Sequence, residues 1–196
     1  MNLDIEKIKK NLNTKFLGRN IIYFEEIDST QDEVKRKIKQ NIANGTYIVT
    51  DKQTKGKGTH DRIWYDKGFE NICGSFVLMP NCHISKIKDI TVIIAECIIQ
   101  AIKKLYGIDL QLKHPNDIMC NSKKMVGILT ESITNKEIVK YIIIGIGINV
   151  NQTEFQSEIE NIATSLKKEY KKDFCREQII SEFFNLFEDK YLKIIS

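Results

Sequence analysis

The sequence has no segment that would carry the chain into or across a membrane. Its N-terminus, Met1-Asn2-Leu3-Asp4, lacks the apolar stretch of a signal peptide. Its apolar runs are also far shorter than the ~18–20 residues that span a bilayer. These absences predict a soluble protein that stays in the cytoplasm.

The cysteines lack the spacing of a zinc site or a disulfide framework. There are five of them, an odd number, and no two form a Cys-x-x-Cys pair. We expect free, partly buried thiols, as in proteins of a reducing compartment. The cysteines are Cys73, Cys82, Cys97, Cys120 and Cys175.

The chain also lacks internal repeats, low-complexity tracts and Pro-, Gly- or Ser-rich linkers. Its 196 residues are 42% hydrophobic and 29% charged, a mixture typical of one globular domain. The net charge of +4 is spread along the chain and is too small to indicate DNA binding. We therefore predict a single domain over residues 1–196, with residues 1–19 as an N-terminal helical extension.

Hydrophobic spacing predicts a mixture of helices and strands. Apolar residues at helical intervals predict helices over 30–42, 85–106 and 175–195. β-branched or alternating stretches predict strands at 20–27, 47–49, 71–79, 110–113, 125–132 and 138–150, with a short one around Ile118. The strands come in groups and do not alternate strictly with helices, so the predicted fold class is α+β.

A long charged stretch, residues 52–70, lacks periodicity and is predicted to be a loop. It contains Gln53-Thr54-Lys55-Gly56-Lys57-Gly58-Thr59-His60-Asp61-Arg62-Ile63-Trp64. Glycines let backbone amides approach a ligand closely, and lysine and arginine bind phosphate or carboxylate. The Walker spacing is absent, and a solvated basic loop would look similar, so this segment alone leaves both interpretations open.

Two further segments place lysine or glycine inside apolar strands. Lys124 opens an apolar strand in which alternate side chains face inward, so it could bind an anion at a cleft. Gly145 and Gly147 interrupt the predicted central strand, where either a packing bulge or the close approach of a ligand would explain them. The run Lys113-His114-Pro115-Asn116-Asp117 is by itself a turn former.

Taken together, these segments resemble the catalytic domain of the biotin protein ligases. The loop is similar to that family's Gly-Arg-Gly-Arg-Arg-Gly-Arg-Lys-Trp loop, and Lys113-His114-Pro115-Asn116-Asp117 to its Lys-Trp-Pro-Asn-Asp motif. Lys124-Met125-Val126-Gly127-Ile128-Leu129 resembles its Lys-Leu-Ala-Gly-Ile-Leu strand. Gly145-Ile146-Gly147-Ile148-Asn149 matches its Gly-Ile-Gly-Ile-Asn strand, and Asp28-Ser29-Thr30-Gln31 resembles Asp-Ser-Thr-Asn. The five segments occur in the family's order over residues 20–165.

The resemblance implies a mixed, mostly antiparallel sheet with helices packed on one side, as in class II aminoacyl-tRNA synthetases. It implies an ATP- and Mg²⁺-dependent ligase that binds biotin and ATP and forms biotinyl-5′-adenylate with release of pyrophosphate. The acyl group would then pass to a lysine of a biotin carboxyl carrier protein domain. Members of the family often pair through exposed sheet edges, so the resemblance allows a homodimer, which the sequence does not show.

The resemblance also assigns roles to individual residues. It implies that Lys124 bridges the biotin carboxylate and the α-phosphate as the main catalytic residue, with Lys57 and Arg62 assisting. Asp117 would contact the metal. The implied binding residues for biotin and ATP are Ser29, Thr30, Gln31, Gln53, Gly56, Lys57, Gly58, Thr59, Trp64, Asn116, Asp117, Lys124, Gly127, Gly145, Gly147 and Asn149.

The sequence departs from the family's motifs at several positions. These are Lys57, Thr59 and His60 in place of arginines, Asp61 in place of a glycine, His114 in place of a tryptophan and Gln31 in place of an asparagine. The loop thereby loses fixed positive charge between Gly58 and Arg62. Lysine also lacks the bidentate fork of arginine. We hypothesise that this loop holds an acyl-adenylate less tightly than the family's usual loop.

The extent of the sequence adds two expectations. The stretch before residue 20 is too short for the winged-helix domain of the family's DNA-binding members, so we expect no DNA-binding role. The sequence ends at Ser196, soon after the last predicted helix, so the family's small C-terminal β-barrel is expected to be absent. These expectations describe a catalytic domain alone.

Three other functions stay open at this point. A lipoate or octanoate ligase or transferase would share the fold and the lysine, although the Gly-Lys-Gly loop and the Gly-Ile-Gly-Ile-Asn strand favour biotin. A catalytically weak biotin-binding module would explain the lost arginines. A nucleic-acid-binding module has the least support, because the positive charge is not gathered on one element.

Overall fold

A computed structural model describes residues 2–60 and 62–196 of the chain. The helices are α1 (Ile5–Asn11), α2 (Thr30–Ile38), α3 (Ile90–Tyr106), α4 (Leu166–Tyr170) and α5 (Arg176–Ile195). The strands are β1 (Ile21–Ile27), β2 (Tyr47–Gln53), β3 (Ile72–Leu78), β4 (Cys82–His83), β5 (Gln111–Lys113), β6 (Asp117–Cys120), β7 (Lys123–Asn135) and β8 (Ile138–Ile148).

The strands form one eight-stranded sheet in the order β1-β2-β3-β8-β7-β6-β5, with β4 beside one end of β8. The β1–β2 pair is parallel and the other pairs are antiparallel. β8 lies in the middle of the sheet, between β3 and β7. Its β-branched side chains are buried on both faces, as is typical of a central strand. The predicted mixed, mostly antiparallel sheet and the α+β class are confirmed.

One face of the sheet carries the main hydrophobic core. Ile142, Ile144, Ile146 and Ile148 of β8 pack there in one core with residues of α3 and α5. Phe76 of β3 contacts an aromatic cluster on α5, with ring centroids 5.4 Å from Phe184 and 5.8 Å from Phe187. α3 ends at Gly107, whose φ of 70° is the left-handed conformation that glycine adopts without strain.

The N-terminal segment is fixed to this core by buried charges. The Glu188 carboxylate on α5 accepts hydrogen bonds from the backbone amides of Lys15, Phe16 and Leu17. Arg176, at the start of α5, lies 2.8 Å from the buried Asp51 carboxylate of β2. These contacts join both ends of the chain to the sheet.

The other face is covered only in part, by α2. Val34 of α2 packs there on Ile48, Val77 and Ile143, which point away from the main core. The predicted arrangement with helices on one side therefore holds for α1, α3 and α5, while α2 lies on the opposite face. Because α2 is only nine residues long, the helix covers only part of that face.

Most predicted elements are present, with shifted ends. The helix predicted over 85–106 is a 3₁₀ turn (Ile84–Ile87) followed by α3, and the helix predicted to reach residue 42 ends at Ile38. β4 and α4 were not predicted. In the parts of the chain that are described, no helix has both the length and the apolar character needed to cross a membrane.

Candidate functional site

A narrow cavity of about 40 Å³ lies on the sheet face beside α2. Alternation places Gly145 and Gly147 of β8 on this face, opposite Leu129 and Gly127 of β7 in the strand register. The missing side chains lower the floor of the cavity. Its lining residues are Ser29, Thr30, Gln31, Gln53, Lys57, Gly58, Thr59, Trp64, Gly74, Ser75, Asn116, Lys124, Gly127, Ile128, Leu129, Gly145, Ile146 and Gly147.

One end of the cavity is polar because α2 begins there. Ser29 is the N-cap, and its side chain accepts from the Asp32 amide. The Gln53 side-chain oxygen accepts from the Thr30 amide at 2.9 Å and from its hydroxyl at 3.1 Å. The Thr30 hydroxyl also lies 2.8 Å from that of Ser75. These side chains are fixed before any ligand arrives.

Gln31 lies over the floor at the same end. A Cβ atom at Gly145 would be only 2.7 Å from its Oε1, so glycine makes room for this amide. Its Nε2 donates to Glu131 of β7 at 2.8 Å. Glu131 also binds Lys35, and its pKa is lowered: burial raises it, but the hydrogen bonds from Lys35 and Gln31 outweigh that effect.

Trp64, in the predicted loop, lies across the cavity. A Cβ atom at Gly147 would be 2.3 Å from the indole Cε2, and one at Gly127 would be 2.8 Å from Cζ3. The indole Nε1 is buried and has no hydrogen-bond partner of normal geometry in the described part of the chain, although the Cys73 thiol lies nearby. Since small-molecule pockets usually measure ~300–1,000 Å³, the indole fills space that a ligand would need.

Lys124 is the second residue of β7 and lies beside Asp117 of β6. Its Nζ lies 2.6 Å from Asp117 Oδ1 and 5.9 Å from the centroid of the Trp64 ring. Its backbone is held by one neighbouring segment: its amide donates to the Ile162 carbonyl at 2.7 Å, and its carbonyl accepts from the Thr164 amide at 2.9 Å. The lysine is therefore a fixed cation in the wall of the cavity.

Asn116 lies next to this pair, and its hydrogen bonds join it to the sheet. Its side-chain amide donates to the Ile128 carbonyl at 3.1 Å, and its backbone carbonyl accepts from the Ile128 amide at 3.0 Å. The predicted turn residue thus fastens the start of β6 to the middle of β7. Asn116 lines the cavity through this anchored position.

A second cavity of about 160 Å³ lies on the other side of Lys124. It shares Gly58, Thr59, Trp64 and Lys124 with the first cavity. Its other lining residues are Arg62, Ile63, Tyr65, Asn149, Ile159, Ile162 and Ala163. Lys124 therefore lies where two neighbouring cavities meet.

Asn149 lies in the wall of this second cavity and is 5% exposed. Its side chain donates to the Thr164 carbonyl at 3.1 Å and its backbone amide donates to the Met125 carbonyl at 2.9 Å. Its amide nitrogen is thus already bound to the segment that precedes α4.

The loop cations are partly paired within the chain. Lys57 Nζ lies 2.7 Å from the Asp32 carboxylate on α2. The Arg62 guanidinium donates to the Thr59 hydroxyl at 2.8 Å and to its carbonyl at 3.1 Å. Asp61, which departs from the family's motif, lies outside the described residues.

The structure brings together nearly all the site residues predicted from the sequence. Gly56 and Asp117 are the exceptions, because neither lines the two cavities: Asp117 lies behind Lys124, and Gly56 lines an outer cleft of about 630 Å³. A Cβ atom there would be 2.4 Å from the Trp64 carbonyl oxygen, so Gly56 serves the folding of the loop. Sequence reasoning missed Gly74, Ser75, Ile128, Leu129 and Ile146 in the wall and Glu131 behind it.

A buried thiol lies next to the floor. Cys73 pairs with Gly147 in the β3–β8 register and is 1% exposed. Burial raises its pKa well above the ordinary value, and the nearby Asp66 carboxylate raises it further. The group is therefore a neutral thiol at neutral pH, and it adds no charge to the site.

Residues 23–149 match the biotin/lipoate A/B protein ligase family. The chain belongs to this family. The resemblance noted from the motifs is thereby confirmed, and the two cavities lie where those motifs meet.

Individual relatives of this ligase-family chain are similar over most of its length. The bifunctional ligase/repressor BirA of Bacillus subtilis (strain 168) is 36% identical over 191 residues, which are 96% of this chain and 59% of that protein. The biotin–[acetyl-CoA-carboxylase] ligase of Paracoccus denitrificans is 27% identical over 139 residues, or 70% of this chain and 57% of that protein. The chain thus spans somewhat more than half the length of these relatives.

Solved structures agree with this assignment. The biotin protein ligase from Aquifex aeolicus in complex with biotin and ATP superposes with a TM-score of 0.76 and 31% identity, covering 89% of this chain and 71% of that one. The biotin protein ligase from Leishmania major in complex with biotinyl-5-AMP has a TM-score of 0.75 at 22% identity, covering 89% and 75%, and supports the fold alone.

Proposed function

We propose that this chain is an ATP-dependent biotin ligase, which activates biotin as biotinyl-5′-adenylate and transfers it to a lysine of a carrier protein. The observation that carries the proposal is the position of Lys124 between two adjoining cavities. A cation at that junction suits a reaction that joins a carboxylate to a phosphate, because it attracts both anions. Relatives named as biotin ligases support the choice of substrate.

The first cavity suits the acyl substrate. Its polar end offers hydroxyl and amide groups, from Ser29, Thr30 and Gln53, that can bind the cyclic urea of biotin. The glycine floor would let the fused rings and acyl chain lie close to the backbone of β7 and β8. The acyl chain would then direct its carboxylate toward Lys124.

The second cavity suits the nucleotide. Arg62 and Lys124 would lie near the phosphates, while Ile159, Ile162 and Asn149 offer an apolar and polar surface for the base. Lys57 lies on the side of the first cavity and would reach the α-phosphate by leaving Asp32. Cations that face developing negative charge at phosphorus lower the barrier of such a transfer.

The chemistry would proceed in two balanced steps. A carboxylate oxygen of biotin attacks the α-phosphorus of ATP, the new P–O bond forms, and pyrophosphate leaves. The neutral ε-amine of the acceptor lysine then attacks the acyl carbon, AMP leaves, and the amine loses a proton. Trp64 and its loop would cover the mixed anhydride and exclude water, which would otherwise hydrolyse it.

One carboxylate of the site, Asp117, fits a Mg²⁺ ion that arrives with the nucleotide. No group of three metal-binding side chains occurs within residues 2–60 and 62–196. Mg²⁺ needs only one or two carboxylates when phosphates supply other ligands, and Asp117 is the carboxylate beside Lys124. Bound there, the ion would neutralise charge on the triphosphate.

The partners and location follow as further parts of the proposal. We infer a biotin carboxyl carrier protein domain as acceptor, no role in DNA binding, and a chain that works as one domain. Five free cysteines support a reducing, cytoplasmic setting. A homodimer through an outer strand, β1 or β5, is a proposal that light scattering on the purified protein would test.

The central experiment measures biotin-dependent release of pyrophosphate from Mg·ATP. We expect release by the wild type, and loss of at least ~100-fold in Lys124→Ala. The matched control is Lys123→Ala, since the neighbouring lysine is bonded to the Glu160 carbonyl, outside both cavities. Release driven by octanoate or lipoate would indicate the alternative ligase, and biotin binding without release would indicate a binding module.

A further inference from the structure

Gln31 presents a buried acceptor to the polar end of the first cavity. The residue is 3% exposed, and Oε1 has no hydrogen-bond partner among the residues that the structure describes. The same oxygen lies where it would meet a Cβ atom at Gly145, so it stands directly above the cavity floor. An unpaired buried carbonyl is unfavourable, and it marks a place where a ligand N–H group would be stabilised.

The orientation of this amide is set by its neighbours. Nε2 lies 2.8 Å from Glu131 Oε2 and 3.4 Å from the Ile143 carbonyl oxygen. Both are acceptors, so the NH₂ group must face them, and Oε1 must face the cavity. The orientation thus follows from the chemistry of the partners and needs no assumption about which amide atom is oxygen.

Glu131 is itself held in place from the α2 side. Its Oε1 lies 2.8 Å from Lys35 Nζ, while its Oε2 accepts from Gln31. Gln31 and Lys35 are one helical turn apart on α2, so the carboxylate of β7 binds both of them at once. Lys35 keeps Glu131 charged and therefore keeps it an acceptor.

The side-chain amide of Gln53, at the same end of the cavity, presents a donor where Gln31 presents an acceptor. The Gln53 oxygen is already used by the Thr30 amide and hydroxyl, which leaves its NH₂ group to donate, with the buried Cys73 thiol as one nearby acceptor. The end of the cavity thus offers an acceptor from Gln31 and a donor from Gln53. A cyclic urea carries N–H groups and a carbonyl within a few ångströms, and this pair of partners complements it.

We propose that Glu131 is a positioning residue for substrate selection: it holds Gln31 so that Oε1 accepts a urea N–H of biotin. This inference rests on the proposed function and adds to it a residue that does not touch the substrate. An octanoyl or lipoyl chain has no N–H group at its far end. Such a chain would leave Oε1 buried and unpaired, so the site discriminates against it.

The test measures dissociation constants by calorimetry, without ATP, for biotin, its two N-methylated urea derivatives and octanoate. Glu131→Gln keeps the shape of the side chain but lets Gln31 turn over, because an amide can donate as well as accept. We expect about a tenfold loss of biotin affinity in this variant. We expect much less loss for the derivative that is methylated at the nitrogen facing Gln31, since its hydrogen bond is already absent.

A second variant and a control keep the inference falsifiable. Gln31→Met removes the buried oxygen at nearly constant size, so biotin should bind about tenfold more weakly and octanoate more tightly than to the wild type. Glu26→Gln is the control, because it removes an ion pair of similar length, 2.7 Å to Lys52, away from the cavity. It should change the affinity for neither biotin nor octanoate. Thermal unfolding of each variant identifies loss of folding.

The outcomes separate the inference from the proposed function. Equal losses for biotin and for both methylated derivatives would mean that Glu131 only stabilises the fold, which overturns the inference and leaves the ligase proposal intact. A wild type that binds octanoate but not biotin would overturn both. Unequal losses, together with tighter octanoate binding by Gln31→Met, would establish Glu131 and Gln31 as the selecting pair.

Discussion

Lys124 and Asp117 form an ion pair across the β6–β7 hairpin, with 2.6 Å between Nζ and Oδ1. The strand register shifts between Ile118 and Met119, which pair with Val126 and Lys124, so Met125 of β7 is the extra residue of a bulge. Bulges redirect side chains near functional sites, and this one accompanies the meeting of two side chains that strict pairing would not place opposite each other. The pair fixes the charge that the proposed chemistry needs.

Asp117→Asn should slow adenylation without preventing biotin binding. The variant keeps the size of the side chain but removes the charge that holds Lys124, so we expect turnover to fall by ~10–100-fold. The dissociation constant of biotin should change by less than about threefold, because the change lies beyond its rings. Pyrophosphate release and calorimetry measure the two quantities.

A magnesium titration of the same variant tests the metal proposal for Asp117. If the carboxylate also contacts Mg²⁺, the half-saturating Mg²⁺ concentration should rise in Asp117→Asn. A fall in turnover at unchanged Mg²⁺ dependence would leave Asp117 with the positioning of Lys124 alone. Turnover within twofold of the wild type would contradict both roles.

Trp64 should report ligand binding through its fluorescence. It is the only tryptophan in the chain, and its indole lies against Gly127 and Gly147 in a cavity of about 40 Å³. Biotin needs more room than this, so the ring must shift when the ligand enters. We expect a saturable change in emission that follows the calorimetric binding curve, and no change in Trp64→Phe.

Gly147→Ala should raise the floor of the cavity into the space of the indole. The new methyl group would be 2.3 Å from Cε2 of Trp64, so the ring must leave its place, and biotin should bind at least ~10-fold more weakly. The double variant Gly147→Ala/Trp64→Ala should recover the thermal stability that Gly147→Ala loses, because the clashing ring is then absent. The control Gly107→Ala adds a methyl group that meets no described atom within 4 Å; its φ of 70° strains alanine and should lower thermal stability, but biotin binding should stay unchanged.

The elements that depend on local pattern could be predicted from the sequence. The helical spacing of apolar residues identified α3 and α5, and the β-branched run identified β8 as central. The Ser29 N-cap was visible because serine at that position satisfies a free amide of the first turn. The glycines of β8 indicated a close approach to the backbone, and the structure places the Trp64 ring there.

The elements that depend on distant contacts could not be predicted in this way. Gln31 and Glu131 are 100 residues apart, and no spacing rule connects them. The place of α2 on the second sheet face follows from packing of Val34 on three strands, which its own amphipathic pattern does not specify. Ser75 belongs to β3, a strand that is buried along its whole length. The sequence of such a strand looks like that of a core strand, so it did not show that Ser75 lines the cavity.

Thr59→Arg should lengthen the retention of the acyl-adenylate. Thr59 accepts hydrogen bonds from the Arg62 guanidinium, so this cation is bound within the loop. Thr59→Arg removes the hydroxyl that binds the Arg62 guanidinium, while the backbone carbonyl stays, and it adds a further cation beside the second cavity. We expect the adenylate to leave at least about threefold more slowly, as measured by dilution into excess unlabelled biotin and ATP. An unchanged release rate would count against the hypothesis of a loosely held adenylate.

The stability that Asp28 contributes should depend on pH in one direction. Hydrogen bonds from Arg36, opposed by burial and aided by the Ser29 amide, lower the pKa of Asp28 from 3.8 to about 2. A carboxylate with a lowered pKa stabilises the fold above its unfolded value, and the effect is lost as pH falls through the folded value. Urea unfolding of the wild type and Asp28→Asn should therefore differ at pH 6 and converge between about pH 4 and pH 2. A difference that stays constant over this range would show that the carboxylate charge at the start of α2 is not what stabilises it.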